Sequence, residues 1–472
     1  MTPELVLLML VIAAGAYMAW NIGANDVANA MGTSVGSGAL SLRQAVVIAA
    51  ILEFSGAFFF GSHVSETIQK GIVDSSVFMD PYVVVYGMLA ALLSAGAWLQ
   101  IASYFGWPVS TTHSIVGAII GFGAAVGGID AIYWDNVSFI ATSWVLSPIL
   151  GGIFSFAIFN LLRRQIFYTE NPIAATKKIT PLLAFAVLFI LSLVMLYKGL
   201  NNTNLDFSFV QSAAISIACG GIGYIVAKVC LRNIKTPKVE HQAAVEYRPE
   251  IVMQLDKARR HLQQIEGMSR GVVQYQTSEI LAEIQRLSTS LKKKEESGIQ
   301  NVEYAIVEKI FSYLQIMSAC LMAFAHGAND VANAIGPLSA AIDILLTGKI
   351  SEDAMIPTWV LGLGGLGIVV GLATWGWRVI ETIGKKITEL TPTRGFSAEF
   401  GAAATILIAS RLGLPISTTH TLVGSVIGVG LARGIEALDL RTTRYIFISW
   451  LFTVPAGALL AIPLFYLINA LF

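Results

Sequence analysis

The sequence encodes an all-α integral membrane protein of about 12 transmembrane segments. These form two inverted-topology repeats with broken or re-entrant helices, joined through a cytoplasmic helical insert. Three observations predict this: recurring uncharged apolar stretches, a duplicated pair of motifs, and one charge-dense segment between the copies. Of the 472 residues, 55% are hydrophobic and 13% charged, roughly half the charge of a soluble domain. A soluble chain of this composition could not cover itself with polar surface.

The apolar stretches run from Leu5 to Trp20, Ala45 to Gly61, Tyr82 to Gln100, Val137 to Leu162, Leu182 to Leu196 and Ile446 to Phe472. A bilayer core takes about 20 apolar residues per helix, so most are single crossings and some are short. Met1-Thr2-Pro3-Glu4 has no basic residue, so the first stretch reads as a retained helix rather than a cleaved signal. Trp20, Tyr82, Trp134 and Trp377 near segment ends read as interfacial anchors. Net charge is zero, which gives no nucleic-acid partner. Cys219, Cys230 and Cys320 lie in or beside apolar sequence without metal-ligand spacing; they read as small packing residues, with no disulfide.

The repeat is the most informative feature. Gly23-Ala24-Asn25-Asp26-Val27-Ala28-Asn29-Ala30 returns unchanged at Gly327-Ala328-Asn329-Asp330-Val331-Ala332-Asn333-Ala334. Pro108-Val109-Ser110-Thr111-Thr112-His113 returns as Pro415-Ile416-Ser417-Thr418-Thr419-His420, with matched lead-ins Ile101-Ala102-Ser103 and Ile408-Ala409-Ser410. The chain therefore divides into a first transmembrane repeat (1–162), a linking helix pair (163–231), a charged insert (232–302) and a second repeat (303–472). Residues 232–309 carry 13 basic and 11 acidic residues. Placing them in the cytoplasm also puts Arg43, Arg163, Arg164, Lys177, Lys178, Lys385, Lys386, Arg433, Arg441 and Arg444 inside, with Lys70 outside as an exception. Seven crossings then precede the second copy, and an odd number inverts it. Such repeats are the architecture of secondary transporters, whose sites lie at the midplane where the copies meet.

Each Gly-Ala-Asn-Asp motif follows an apolar helix, so Asp26 and Asp330 are intramembrane carboxylates. A bare carboxylate there costs at least ~3 kcal/mol and needs a partner. Asn25 and Asn29 share a helix face, as do Asn329 and Asn333. Gly23 and Gly327 are read as points where the helix loosens and presents carbonyls. These are hard oxygen ligands suited to sodium; the bland alternative is hydrogen bonding that only packs the bundle. Pro108-x-Ser110-Thr111-Thr112 and its copy are helix starts followed by short Gly-rich apolar runs, which predicts half-helices. Bare N–H groups at such starts attract anions. Ser110, Thr111, Thr112, Ser417, Thr418 and Thr419 add hydroxyl donors, or else merely cap the helices. An anion near Asp26 and Asp330 would be repelled unless a cation or proton bound too, which is the logic of a symporter.

Glu53 and Glu399 also interrupt apolar sequence and are read as cation-pathway acids or as structural pairs. His113 and His420 read as packing groups with a hydrogen bond, or as substrate or proton contacts. His326 breaks the repeat, since Ile22 is its counterpart, and could tune the site. In the insert, Leu255, Leu262, Ile265 and Met268, then Ile280, Ile284, Leu287 and Leu291, predict two amphipathic helices in a hairpin. Lys292-Lys293-Lys294 reads as a solvated run or a lipid-phosphate contact.

The paired motifs resemble those of the inorganic phosphate transporter (PiT) family, over both repeats but not the insert. Gly32-Thr33-Ser34-Val35-Gly36-Ser37-Gly38 with Leu42-Arg43-Gln44-Ala45, Glu53 and Gly61 resembles its sodium-dependent symporter branch. The resemblance implies import of inorganic phosphate with sodium as a co-transported ligand and no other cofactor. It also implies a multi-pass protein of the plasma membrane, the inner membrane in a bacterium, and a homodimer. Carried over by motif, Asp26, Asp330, Asn25, Asn329, Glu53 and Glu399 would serve sodium. Asn25, Asn29, Asn329, Asn333, Ser110, Thr111, Thr112, Ser417, Thr418 and Thr419 would line the phosphate site. The alternatives are proton-coupled phosphate or metal-phosphate symport and, in another class, a phosphate-binding membrane receptor or channel. No catalytic triad, metal cluster or P-loop points to an enzyme.

Overall fold

The structure, a computed structural model, describes residues 2–74, 77–197, 207–232, 234, 249–295, 300–350, 356–377, 379–380 and 387–472. Met1, Lys385 and Lys386, which entered the sequence argument, lie outside the described residues. The described chain is helical, with no named strand and one isolated antiparallel bridge between Val73 and Ile132. The first repeat contains α1 (Pro3–Gly36), α2 (Leu42–Phe60), α3 (Ser62–Lys70), α4 (Pro81–Tyr104), α5 (Thr111–Gly127) and α6 (Trp134–Leu162). Then come α7 (Pro172–Leu196) and α8 (Phe209–Arg232), followed by α9 (Pro249–Met268) and α10 (Val272–Glu295). The second repeat contains α11 (Gln300–Asp330), α12 (Ala332–Thr347), α13 (Thr358–Thr374), α14 (Pro392–Arg411), α15 (Thr418–Arg433) and α16 (Leu440–Leu471).

Local chemistry sets the ends. Thr2 accepts from Leu5 N at 3.4 Å and Pro3 occupies the first turn of α1, where its missing N–H costs nothing. Ser41 and Gln44 form a reciprocal capping box on α2. Asp439 caps α16 by accepting from the N–H groups of Arg441 and Thr442 at 2.9 and 3.1 Å. The Thr442 backbone N–H, then its hydroxyl, hold that carboxyl below the usual range.

The first motif does not break its helix. α1 runs through Gly23 to Gly36 without interruption, against the expectation that Gly23 loosens it. Only the second copy is interrupted, between Asp330 and Ala332 at Val331. Pro337 lies inside α12, where Thr33 stands in the first copy. That proline leaves the Asn333 carbonyl without its helical donor, while α12 continues through it to Thr347 and the Val331 carbonyl still accepts from Ile335 N. The motif glycines serve close approach instead. A Cβ on Gly23 would fall on the Ile368 carbonyl, and one on Gly327 on the Glu53 carbonyl.

Those contacts cross between repeats. α1 packs on α13 and α11 on α2; α5 packs on α16 and α15 on α6. Small residues permit it, as in membrane helix pairs where lipid supplies no hydrophobic drive. Gly117 meets the Val454 carbonyl and Gly424 the Pro148 carbonyl; Gly457 meets the Ser114 carbonyl and Gly151 the Thr421 carbonyl. The halves are thus interlocked rather than juxtaposed. Gly327→Val should lower the thermal unfolding midpoint in detergent, because overpacking costs about 1–3 kcal/mol and here the obstacle is backbone. Gly221→Val on α8, where nothing lies within 4 Å, should leave the midpoint unchanged.

Among the described residues, eight helical segments are long and apolar enough to cross a membrane, and two shorter apolar ones accompany them, Thr111–Gly127 and Thr358–Thr374. Their outward faces carry Phe139, Val145 and Ile149 on α6, Ile217, Ile222 and Val229 on α8, and Leu451, Phe452 and Leu459 on α16, all exposed. A continuous apolar girdle of that extent belongs in lipid. α9 and α10 turn back on each other at Gly271, whose φ is +68°, and Arg260 on α9 pairs with Glu436 beside the end of α15.

Candidate functional site

The two hydroxyl motifs begin the half-helices α5 and α15. Ser110 accepts from His113 N at 3.2 Å and Ser417 from His420 N at 3.1 Å, so both serines cap their helices. That leaves each serine a hydroxyl proton to donate. α5 and α15 have 17 and 16 residues, about 25 Å at 1.5 Å per residue, which is short of a ~30 Å hydrocarbon core. Their N-terminal ends therefore lie within the protein. The preceding loops are pinned by the first asparagine of each long motif. Asn25 donates to Ser103 Oγ at 2.9 Å and the Trp107 carbonyl at 3.1 Å. Asn329 donates to Ser410 Oγ at 2.9 Å and the Leu414 carbonyl at 3.4 Å.

The second asparagine of each motif crosses to the other half. Asn29 donates to Thr419 Oγ1 at 2.8 Å and Thr418 Oγ1 at 3.4 Å. Asn333 donates to Thr112 Oγ1 at 3.1 Å and Thr111 Oγ1 at 3.2 Å. The half-helix starts also meet each other. Thr112 donates to the Ile416 carbonyl at 2.9 Å and Thr419 to the Val109 carbonyl at 3.2 Å. Both copies of both motifs thus converge on one buried locus, where no named motif side chain is more than 5% exposed.

The acids sit in the same locus. Thr418 donates to Asp330 Oδ2 at 2.6 Å; Asp26 Oδ1 accepts from Asn29 at 3.1 Å and, at 3.2 Å, shares the single hydroxyl proton of Thr419 with the Val109 carbonyl. His326 Nε2 lies 3.0 Å from Asp330 Oδ2 and 3.9 Å from Asp26 Oδ2, and its Nδ1 lies 3.3 Å from Glu53 Oε1. Three carboxylates therefore surround one imidazole. Asp26, His326 and Asp330 each bring a ligand atom within 4.8 Å of the others, a spacing that could hold a metal ion.

Besides the ring nitrogens of His326 and the carboxylate oxygens of Glu53, which also have no hydrogen-bond partner, five motif oxygens are left over. Asp26 Oδ2, Asn29 Oδ1, Asn329 Oδ1, Asp330 Oδ1 and Asn333 Oδ1 are buried without a hydrogen-bond partner. Each is an acceptor oxygen, and an unpaired one costs about 1–3 kcal/mol. Five such oxygens beside ionisable acids fit a hard cation, which takes oxygen ligands.

Glu399 is elsewhere. It accepts from Ser34 Oγ and Ser318 Oγ at 2.6 Å each, from Gln315 Nε2 at 3.4 Å and from Thr33 Oγ1. Its hydrogen-bond partners lie apart from Asp26 and Asp330. The sequence-derived cation residues thus separate into a central cluster with Glu53 and a satellite around Glu399. Sequence reasoning missed Gln315, Ser318 and Ser103 as partners; Ser103 and Ser410 were flagged only as matched lead-ins. His113 and His420 lie with ring centroids 4.3 Å apart, His113 against Trp144 at 3.8 Å and His420 against Trp450 at 3.5 Å. They sit one residue beyond the threonines in each motif, in an aromatic quartet that joins the halves.

Comparison with known proteins places this geometry. The model of the phosphate transporter family matches residues 22–461. The chain is 47% identical over 453 residues to the chloroplastic inorganic phosphate transporter 2-1 of Arabidopsis thaliana, covering 95% of this chain and 70% of that one. It is 45% identical over 470 residues to a Chlamydia pneumoniae chain named as a phosphate permease, covering 99% of each. A solved structure described as the sodium-dependent phosphate transporter matches 99% of this chain and 100% of its own, at 36% identity and a TM-score of 0.79.

Proposed function

The chain belongs to the phosphate transporter family, and from that premise we propose that it imports inorganic phosphate by sodium symport through alternating access. It is a secondary transporter of inorganic phosphate, and its family and structural relative are transporters rather than enzymes. The observation that carries the sodium reading is the set of orphaned acceptor oxygens on Asp26, Asn29, Asn329, Asp330 and Asn333.

In this reading Asp26 and Asp330, with Asn25, Asn329 and Glu53, hold the cation, and Glu399 serves it from the satellite cluster. Phosphate takes hydroxyl and amide donors from Ser110, Thr111, Thr112, Ser417, Thr418, Thr419, Asn29 and Asn333, and N–H groups from the starts of α5 and α15. Coulomb's law supplies the coupling. An anion beside two carboxylates in a poorly screened site is repelled by several kcal/mol, and each bound cation offsets about half of that repulsion. The repeats are inverted about the membrane plane, giving about 12 segments in all. The cross-repeat helix pairs support that arrangement. The insert lies in the cytoplasm, since Arg163, Arg164, Lys177 and Arg433 then fall inside. The protein resides in the plasma membrane, the inner membrane in a bacterium, as the homodimer that the family resemblance implies.

Radiolabelled phosphate uptake into proteoliposomes tests this. An inward sodium gradient should drive accumulation, and an inward proton gradient in sodium-free buffer should not. Accumulation on protons alone would overturn the sodium assignment in favour of proton coupling. Downhill flux with no accumulation on either gradient would indicate a channel.

A further inference from the structure

The loops that lead into the two half-helices are held alike but tipped differently. Asn25 holds Ser103 and the Trp107 carbonyl, and Asn329 holds Ser410 and the Leu414 carbonyl. Gly106 and Gly413 turn the loops at φ +68° and +66°. Tyr104 and Arg411, each following the pinned serine, therefore hold the same place in the two halves. One tip is aromatic, with Phe105 stacked on Trp107 at 5.0 Å; the other is basic. Arg411 also differs from its own kind. Among the described residues, the other half-buried arginines all have an oxygen partner: Arg163 the Ala432 carbonyl, Arg259 Asp256, and Arg394 and Arg433 both Glu389. Arg411 has no carboxylate or carbonyl partner among them; its guanidinium lies over the Tyr197 ring, 4.8 Å from the centroid. A ring face attracts the charge without satisfying the five N–H donors, which suit an oxyanion.

We propose that Arg411 is the outer docking point for the phosphate oxyanion, a positioning residue that gathers phosphate at the outward mouth before it reaches Ser417, Thr418 and Thr419. This rests on the phosphate-import reading and its topology. With the insert in the cytoplasm, α14 starts inside at Pro392, and its 20 residues rise about 30 Å, which brings Arg411 to the outer edge of the hydrocarbon core. Leu412 beside it is exposed, while every residue from Pro415 to Thr419 is buried. The loop thus runs from the surface at Arg411 straight into the site. A cation at such a mouth raises the local concentration of anions and their rate of entry, and salt screens the effect. Tyr104 takes the same place at the inner mouth, so no matching cation holds phosphate there. The asymmetry is kinetic: it speeds capture from outside and leaves the driving gradient unchanged. A lipid headgroup presents the same phosphate oxygens at this depth, and the test separates the two sources.

Radiolabelled phosphate uptake at fixed sodium, by intact cells of a host without other phosphate uptake, tests the proposal, since external phosphate meets only the outer face. Arg411→Gln should raise KM about tenfold with Vmax unchanged. Arg411→Lys, which keeps the charge, should recover most of that loss. Raising the ionic strength from ~20 to ~200 mM with choline chloride should raise the parent's KM severalfold and that of the glutamine variant much less. Arg411→Met is read the same way if the glutamine variant does not fold. An unchanged KM in Arg411→Gln would overturn the proposal and leave the guanidinium to a lipid headgroup. A lysine variant no better than glutamine, or a loss confined to Vmax, would overturn it too. A parent that accumulates no phosphate would instead overturn the transport reading itself, so the two failures are distinguishable.

Discussion

Asp330→Asn should abolish sodium-driven phosphate accumulation in proteoliposomes while the purified chain remains folded in detergent. Asp26→Asn should do the same. Asparagine keeps the shape and one oxygen but removes the charge that a cation needs in a site closed to water. Breaking one side of a buried charge pair costs about 3–5 kcal/mol, so sodium affinity should fall by at least about a hundredfold. Both carboxylates also accept threonine hydroxyls, Asp330 from Thr418 and Asp26 from Thr419. The amide oxygen can still accept those bonds, so the fold should survive. Uptake at the parent rate in either variant would remove that acid from the mechanism.

The second large effect is expected from Thr418→Val with Thr419→Val. Valine is close to isosteric with threonine and lacks the hydroxyl. Hydrogen bonds to a charged partner are worth about 1.5–3 kcal/mol each, so losing two should weaken phosphate binding by roughly a hundredfold or more. Asn29 would also lose its two threonine acceptors and keep only Asp26, which adds to the loss. Sodium binding measured without phosphate should fall much less, because the carboxylate and amide oxygens remain. Equal losses of both ligands would mean that these hydroxyls only organise the acids, and unchanged phosphate affinity would mean that they only pack the helices.

Much of this was legible in the residues. Identity between residues 23–30 and 327–334 announced two copies, and intramembrane Asp26 and Asp330 announced a charged site. Pro108 and Pro415 followed by hydroxyl residues announced two helix starts. The continuity of α1 was not legible. Glycine permits a loosened helix and a close helix contact equally well, and only the Ile368 and Glu53 carbonyls opposite decide between them. The division of labour within each motif was hidden too. Helical spacing placed Asn25 and Asn29 on one face, but it cannot say that Asn25 ties its own loop while Asn29 reaches the opposite repeat. The Glu399 cluster gathers Thr33, Ser34, Gln315 and Ser318 from two other helices, a grouping set by packing alone. His326 appeared only as a break in symmetry, and its meaning depends on Glu53, far away in sequence and on a different helix.

The central claim is that a cation makes the anion tolerable at one buried site shared by both repeats. Equilibrium dialysis of radiolabelled phosphate against the purified chain, with sodium chloride and then with choline chloride at equal ionic strength, tests it most directly. Phosphate should bind in sodium, with an affinity that rises as sodium rises, and show at least about a hundredfold weaker binding in choline. Equal phosphate binding in the two salts would contradict the account, since the aspartates would then impose no penalty for sodium to lift.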